Sequence, residues 1–311
     1  MTEPRVRRRV LVVGDIVTDI LAVHTGRLAV GSDTAASISL TGGGSAANTA
    51  AWLAALGVPV ELVAVAGTDM AGDDRLAELA ATGVGCTHVR RAPDAPTGSV
   101  IVLAQATERT MLCDRGANLL LEPSDVDAAL EAAPDAVHLH LSGYTLLDPG
   151  SRPGGQHALS EAAARGLTTS VDAASAAPLR RVGGATFLDW VRGVDVLLAN
   201  LDEARALLED PDGEPAGVAR RLARIAGEAV VKLGARGAVS AGPHGSFSVA
   251  AEPIAVVDPT GAGDAFAAGL LASRLAGDDI EASLRAGARL GAEAVSLLGG
   301  RPDARRSASW L

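Results

Sequence analysis

Short apolar runs alternate along this chain with alanine-rich stretches of helical length, and no other feature limits the fold so strongly. Residues 10–13, 60–65, 136–141, 168–171, 194–198 and 229–233 read as central strands. They are short and lack the strict in–out polarity of a strand with one face in water, so both faces should be covered. Between them, residues 46–56, 73–81, 124–132, 156–164, 201–208, 217–226, 262–275 and 280–297 read as helices. Gly57, Gly83, Gly166 and Gly227 follow helix candidates, where a left-handed cap is needed. This rhythm specifies an α/β fold with a mostly parallel sheet covered by helices.

Residues 20–24, 35–40 and the pair 98–104 with 109–113 break the rhythm, because no helix separates them. They should form a small, partly antiparallel sheet apart from the main one, in the manner of a lid. Residues 252–257 are one further strand candidate, leading into a glycine-rich turn.

Composition narrows the class of partner. Lys and Arg total 27 against 37 Asp and Glu, a net charge of −10 that would repel a phosphate backbone. Arg5, Arg7, Arg8 and Arg9 form a basic cluster, but it directly precedes the first strand and reads as a solvated, frayed start. The longest uncharged stretch, 34–60, contains Gly42, Gly43, Gly44, Ser45, Asn48, Thr49 and Pro59. What remains is far below the ~20 apolar residues of a membrane span. Cys86 and Cys113 fit neither a disulfide framework nor a zinc-ligand pair and read as cytosolic thiols. The expectation is a soluble, cytoplasmic protein with no nucleic-acid or membrane partner.

The strongest chemical signal is Asp258-Pro259-Thr260-Gly261-Ala262-Gly263-Asp264, a turn running into a long apolar helix. Without side chains at Gly261 and Gly263, backbone N–H groups at the helix start can point at an anion, where the helix dipole adds its positive end. The same residues also suit a plain helix cap, with Thr260 and Asp264 as cap groups. A second signal is Gly42-Gly43-Gly44-Ser45-Ala46-Ala47-Asn48, a glycine run opening a helix with Asn48 one turn inside it. An amide there grips a hydroxyl as donor and acceptor at once, which suits a polyol. Neither the dinucleotide fingerprint nor the P-loop pattern is satisfied: residues 67–72 have the P-loop glycine spacing but run into Asp73 and Asp74.

Together and in this order, these segments resemble the ribokinase-like carbohydrate kinases of the PfkB family. Intervening residues agree: Gly14-Asp15 followed by Asp19, Thr97-Gly98, Glu108-Arg109, Gly116-Ala117-Asn118, Asn200 with Glu203, and Leu233-Gly234-Ala235-Arg236-Gly237. The likeness spans essentially the whole chain. It implies a ribokinase-like three-layer α/β/α domain over 1–311, with a β lid from about 18–41 and 97–114.

By that resemblance, Asp264 is the general base that takes the proton of an acceptor hydroxyl as it attacks the γ-phosphate of ATP, and the Gly261, Ala262 and Gly263 amides face the transferring phosphoryl oxygens. The helix start is expected to hold the Asp264 pKa low. Asp19, Gly43, Gly44, Asn48, Arg109 and Tyr144 fall where relatives bind the acceptor, while Asp15 is read as satisfying backbone groups. Asn200, Glu203, Lys232, Gly234 and Gly237 fall at the nucleotide, Lys232 standing where many relatives have Thr. Glu203 would organise hydrated Mg²⁺ through water, although Asn200 and Glu203 equally fit a helix cap with a first-turn acid. Asp258 matches a position beside which some relatives hold a monovalent cation such as K⁺. Ribokinases proper carry a carboxylate near Tyr144, so its absence argues against ribose itself. His138 and His140 share a strand face and read as core-edge histidines.

The reaction implied is ATP-dependent phosphorylation of a hydroxymethyl group on a small carbohydrate. A ribonucleoside kinase of the adenosine type is the nearest alternative, and a non-catalytic sugar-binding regulator a more distant one. Only seven aromatic residues, three Trp, three Phe and one Tyr, are available to sandwich a base, which favours a sugar. The lid sheet is too small to cover both its faces within one subunit, and in many relatives two lids clasp, so a homodimer through the lid is expected.

Overall fold

In a computed structural model that describes residues 8–105 and 108–302, the chain builds one nine-stranded sheet and one four-stranded sheet. The strands are β1 (Arg9–Val13), β2 (Val17–His24), β3 (Ala36–Gly43), β4 (Val60–Gly67), β5 (Val89–Ala92), β6 (Gly98–Gln105) and β7 (Glu108–Asp114). The later ones are β8 (Ala136–Ser142), β9 (Thr168–Asp172), β10 (Val196–Asn200), β11 (Glu228–Lys232), β12 (Ala238–Gly242) and β13 (Gly245–Val249). The helices are α1 (Ser45–Ala55), α2 (Met70–Ala81), α3 (Pro123–Ala132), α4 (Tyr144–Leu147), α5 (Arg152–Ala164) and α6 (Ala176–Val182). They continue with α7 (Gly184–Trp190), α8 (Leu201–Leu208), α9 (Pro215–Leu222), α10 (Ala262–Ala276) and α11 (Ile280–Ala294).

The large sheet runs β13-β12-β11-β10-β9-β8-β1-β4-β5, parallel throughout except for β12, which pairs antiparallel with both neighbours. Successive residues on a strand point to opposite faces, and here both faces are apolar. Leu11, Val13, Val63, Val65, Leu139, Leu141, Val171, Leu197 and Val231 enter one core with side chains of α3, α5, α7, α8 and α9. Val10, Val12, Leu62, Ala64, Leu198 and Val230 enter the other with α1, α10 and α11. This is the expected α/β/α sandwich. From β1 the chain passes outward to β4 and β5 on one side, then to β8 and onward on the other. Open parallel sheets form their ligand crevice at the carboxyl ends where the order reverses in this way.

The four-stranded sheet, β3-β2-β6-β7, combines two antiparallel pairs with one parallel pair, β2 with β6. Its strands include all four segments read as the lid.

The sequence reading missed β5, β12, β13, α4, α6 and α7. It also placed a strand at 252–257, where none forms. Pro253 removes a ladder donor there, and Val257 instead donates its N–H to the Val295 carbonyl, 2.7 Å away, at the end of α11. Gly57, Gly83 and Gly166 do have positive φ, whereas Gly227 does not and donates its amide to Val194 O at the start of β11.

His138 and His140 lie within the sheet and are buried. His138 sits between the hydroxyls of Thr168 and Ser170, each 2.8 Å from a ring nitrogen, and His140 Nδ1 is 2.7 Å from Ser170 Oγ. Burial pushes His138 down to about 3 and His140 to about 4. A folded pKa below the unfolded one means that acid protonates the unfolded chain first, so stability falls as pH drops below about 6.5. Against a His138→Asn variant, the wild type should therefore lose about 2 kcal/mol of its advantage between pH 6.5 and pH 5. Urea unfolding at the two pH values measures this, and an unchanged difference would mean the ring is not held neutral.

Candidate active site

Three turns meet at the carboxyl ends of the central strands, and each is shaped by what it must touch. The first opens α1. Gly44 has φ 98°, and a side chain on it would run into the Asp15 carbonyl. The Asp15 carboxylate accepts hydrogen bonds from the N–H groups of Ser45 (3.1 Å) and Ala46 (3.3 Å), so it caps α1 from the end of β1. Two side chains of this turn reach across to the start of α10. Ser45 Oγ donates to Asp264 Oδ1 at 2.8 Å, and Asn48 Nδ2 donates to Asp264 Oδ2 at 2.9 Å.

The second turn is 258–264. Gly261 adopts φ 74° and caps α10, and a Cβ there would collide with the backbone of Gly300. Asp258 fixes the turn by accepting N–H groups from Thr260 (2.8 Å) and from Gly299 (3.0 Å). The third turn, 299–301, is held on the same spot by Trp52, whose Nε1 donates to Gly300 O at 3.0 Å. Behind Gly263 lies Lys232, whose Nζ would be 3.0 Å from a Cβ at that position, so glycine keeps the helix start open to the ammonium. Lys232 Nζ donates to Asp172 Oδ2 at 2.6 Å, a buried ion pair joining the ends of β11 and β9.

Burial of so many carboxylates sets the electrostatics. Asp264 is pushed up to about 8 by burial, with Asp172 adding to the rise and Asn48, Ser45 and Lys232 opposing it. The expectation of a low pKa from the helix dipole is thus overturned, because loss of hydration outweighs the partial charge of one helix end. Glu203 is likewise raised to about 7 by burial against the attraction of Lys232, and Asp19 to about 6 by burial against the attraction of Arg301. Burial alone would lower Lys232, but Asp172 and Glu203 outweigh it and hold the ammonium charged.

The remaining expected residues divide. Asp19 faces Gly43, where any Cβ would meet its carboxylate. Asn200 and Glu203 form a complete capping box on α8: Asn200 Oδ1 accepts the Glu203 N–H at 2.9 Å, and Glu203 accepts from Asn200 N at 2.7 Å and Nδ2 at 2.5 Å. Tyr144 lies under the Arg115 guanidinium, 3.8 Å from its ring centre, and lines a small cavity with Gly14, Asp15, Asn118 and Asp148. Burial pushes its phenol up to about 12. Gly234 has open space around it, while Gly237 packs against the backbone of Val249 and Ala250 and serves the hairpin. The side chain of Arg109 lies outside the described residues. Among the described residues no cluster of three or more His, Cys, Asp or Glu is arranged to hold a metal, and no helix is long and apolar enough to cross a membrane.

Sequence reasoning missed Ser45, Asp172, Arg75 and Arg301. Ser45 stands inside a motif already singled out and Asp172 at a strand's carboxyl end, so both carried a signal. Arg301 Nη2 donates to Gly43 O at 3.0 Å and Arg75 Nη1 to Thr41 O at 3.0 Å, with Glu78 between the two arginines.

Because the folded pKa of Asp264 lies above the unfolded value, its stabilising contribution is greatest in acid and is lost as pH rises to about 8. Asp264→Asn should therefore melt at a higher temperature than wild type at pH 9, with the gap shrinking toward pH 5. Calorimetry reads this directly, and a variant less stable at pH 9 than at pH 5, relative to wild type, would contradict the electrostatic account.

The chain matches the model of the pfkB family carbohydrate kinases over residues 7–305. It is 34% identical over 267 residues to an ATP-dependent ribose-1-phosphate kinase of Halopiger xanaduensis, covering 85% of this chain and 82% of that one. It is 34% identical over 243 residues to a 2-dehydro-3-deoxygluconokinase of Thermoproteus tenax, covering 76% and 74%. The crystal structure of adenosine kinase from Sinorhizobium meliloti superposes with a TM-score of 0.84 at 26% identity, covering 95% of this chain and 96% of that one.

Proposed function

The chain belongs to the pfkB family of carbohydrate kinases, and from that premise we propose that it transfers the γ-phosphate of ATP to a hydroxymethyl group of a small sugar, with Asp264 as general base. The observation that carries this reading is the half-buried Asp264 carboxylate at the start of α10, gripped by Ser45 and Asn48 beside the open Gly261–Gly263 turn. A structural cap has no need of two side-chain donors from another helix.

The acceptor lies between Asp19 and Asn48, with Tyr144 as a wall, and its hydroxyl oxygen approaches Asp264. As the new O–P bond forms and the bond from Pγ to the β-phosphate oxygen breaks, the hydroxyl proton passes to the carboxylate and ADP leaves. The Gly261, Ala262 and Gly263 amides meet the phosphoryl oxygens. A pKa near 8 makes Asp264 a stronger base than an exposed carboxylate, at the cost of being partly protonated at neutral pH.

Glu203 is buried and already bound to Asn200 through both oxygens, which fits an acid that meets hydrated Mg²⁺ through water and not as a direct ligand. Mg²⁺ carried by the nucleotide supplies charge neutralisation of the phosphates. Asp258 holds two turns together, and a monovalent cation such as K⁺ would share its carboxylate with the Thr260 and Gly299 amides. Two curated relatives named for sugar acceptors favour a sugar, while the adenosine kinase likeness keeps the nucleoside reading as the alternative.

Asp264→Asn should lower kcat by about 10²–10⁴-fold while leaving ATP binding largely intact. In the wild type, kcat/KM should rise with pH on an acidic limb with its midpoint near 8. Steady-state rates across a sugar panel from pH 6 to 9 test both, and near wild-type turnover by the variant would remove Asp264 from the role of base.

The dimer expectation has a surface to rest on. The register β7-β6-β2-β3 places Leu112, Ile101, Ile20 and Leu40 in one row on the face opposite Asp19, with Ile38 and Leu103 beside it. Leu40 is 64% exposed, Ile38 63% and Leu112 55%, an apolar sheet face that a second lid would cover. Light scattering at micromolar concentration should give twice the 31.2 kDa chain mass. Replacing Ile101 with Asp and Leu103 with Lys should restore the single-chain mass, and a wild type already at that mass would refute the clasp.

A further inference from the structure

Asn48 touches Asp264 and is itself held from behind. Its amide has two ends of similar shape and opposite polarity: the NH₂ group only donates, and the oxygen only accepts. With Nδ2 toward Asp264 it supports the carboxylate; rotated by half a turn, it would set an oxygen against an oxygen. A half-turn about the terminal χ2 bond exchanges the two ends of the amide without moving α1, so the helix does not settle this choice.

The group on the far side of the amide is Arg301. Its Nε lies 3.4 Å from Asn48 Oδ1, Nη2 donates to Gly43 O at 3.0 Å, and Nη1 donates to Glu78 Oε2 at 3.1 Å. A guanidinium has five donors and no acceptor, so next to it the amide can present only its oxygen. Arg301 is itself fixed: Gly300 packs on Gly261 and on the Asn48 amide, and Trp52 holds the Gly300 carbonyl. We propose that Arg301 is a positioning residue, locking the Asn48 amide so that its NH₂ group always faces Asp264.

Residues around both groups are consistent with a fixed polarity. Arg301 is faced by Glu78, Arg75, Asp19 and Cys86, and Asp264 by Asp172 and Lys232. Among the described residues no other neighbour of Arg301 hydrogen-bonds the Asn48 oxygen, and burial draws Arg301 down only to about 10, so it is charged at neutral pH.

The inference rests on Asp264 as the base, and a double-mutant cycle separates the two claims. Arg301→Met should lower kcat about 10-fold, with KM for ATP changed less than about two-fold, because the loss is in the reacting geometry. In an Asn48→Ala background, the same substitution should cost less than about two-fold more, since a residue that acts through Asn48 has nothing left to act on. A merely structural role would multiply the two losses, and that result overturns the proposal. If Arg301→Met does not fold, Arg301→Lys carries the same cycle, keeping a donor while losing the fork that spans Gly43 and Glu78. Should Asp264→Asn retain turnover, the base assignment fails first; should it be inactive while the cycle is multiplicative, only the role of Arg301 fails.

Discussion

A carboxylate removed from water is the constraint around which this molecule is arranged. Asp264 lies half-buried at a helix start with little solvent to stabilise its charge, and each neighbour either compensates for that or adds to it. Ser45 and Asn48 supply hydrogen bonds from one helix, Lys232 supplies charge from the far side of Gly263, and Asp172 holds Lys232 in place while adding a second negative charge. The turns that carry these groups are glycine-rich because they approach one another backbone to backbone: Gly261 lies on Gly300, and Gly44 on the Asp15 carbonyl. A methyl group at either contact would separate the elements that share the carboxylate.

The same arrangement explains how a binding surface and a reactive group occupy one place. Asp15 is consumed by capping α1, and Glu203 by capping α8, so each acid that looks available in the sequence already has a structural partner. Asp264 and Asp19 both have raised pKa values, as Glu203 does, the mark of carboxylates drawn away from water.

How much of this the sequence revealed follows from which forces are local. Parallel strands buried on both faces must be apolar at every position, so runs such as 60–65 announced themselves, and α8 was placed at its observed bounds. The hairpin of β12 and β13 gave no such signal, since its strands are built largely from Ala, Ser and Gly with no sustained apolar run. Within the site, motifs were legible one at a time. The contact between Ser45, Asn48 and Asp264 depends on how α1 and α10 pack, which no spacing encodes. The direction of the Asp264 shift was misjudged for the same reason: a helix dipole is a local property, whereas burial is a property of the whole fold. Arg301, beyond the last helix and outside any motif, carried no signal at all.

The parallel pairing of β2 with β6 bears on how the chain acquires its form. Residues 17–23 pair with residues 98–104 although β4, α2 and β5 intervene, so the lid cannot be closed from neighbouring sequence alone. Closing that loop costs chain entropy before any lid contact repays it, and the intervening elements reduce the cost only once they have docked on the large sheet. The two hairpins of the lid, β2 with β3 and β6 with β7, can pair from neighbouring sequence, so the seam between β2 and β6 is the part of the cover that waits on the body.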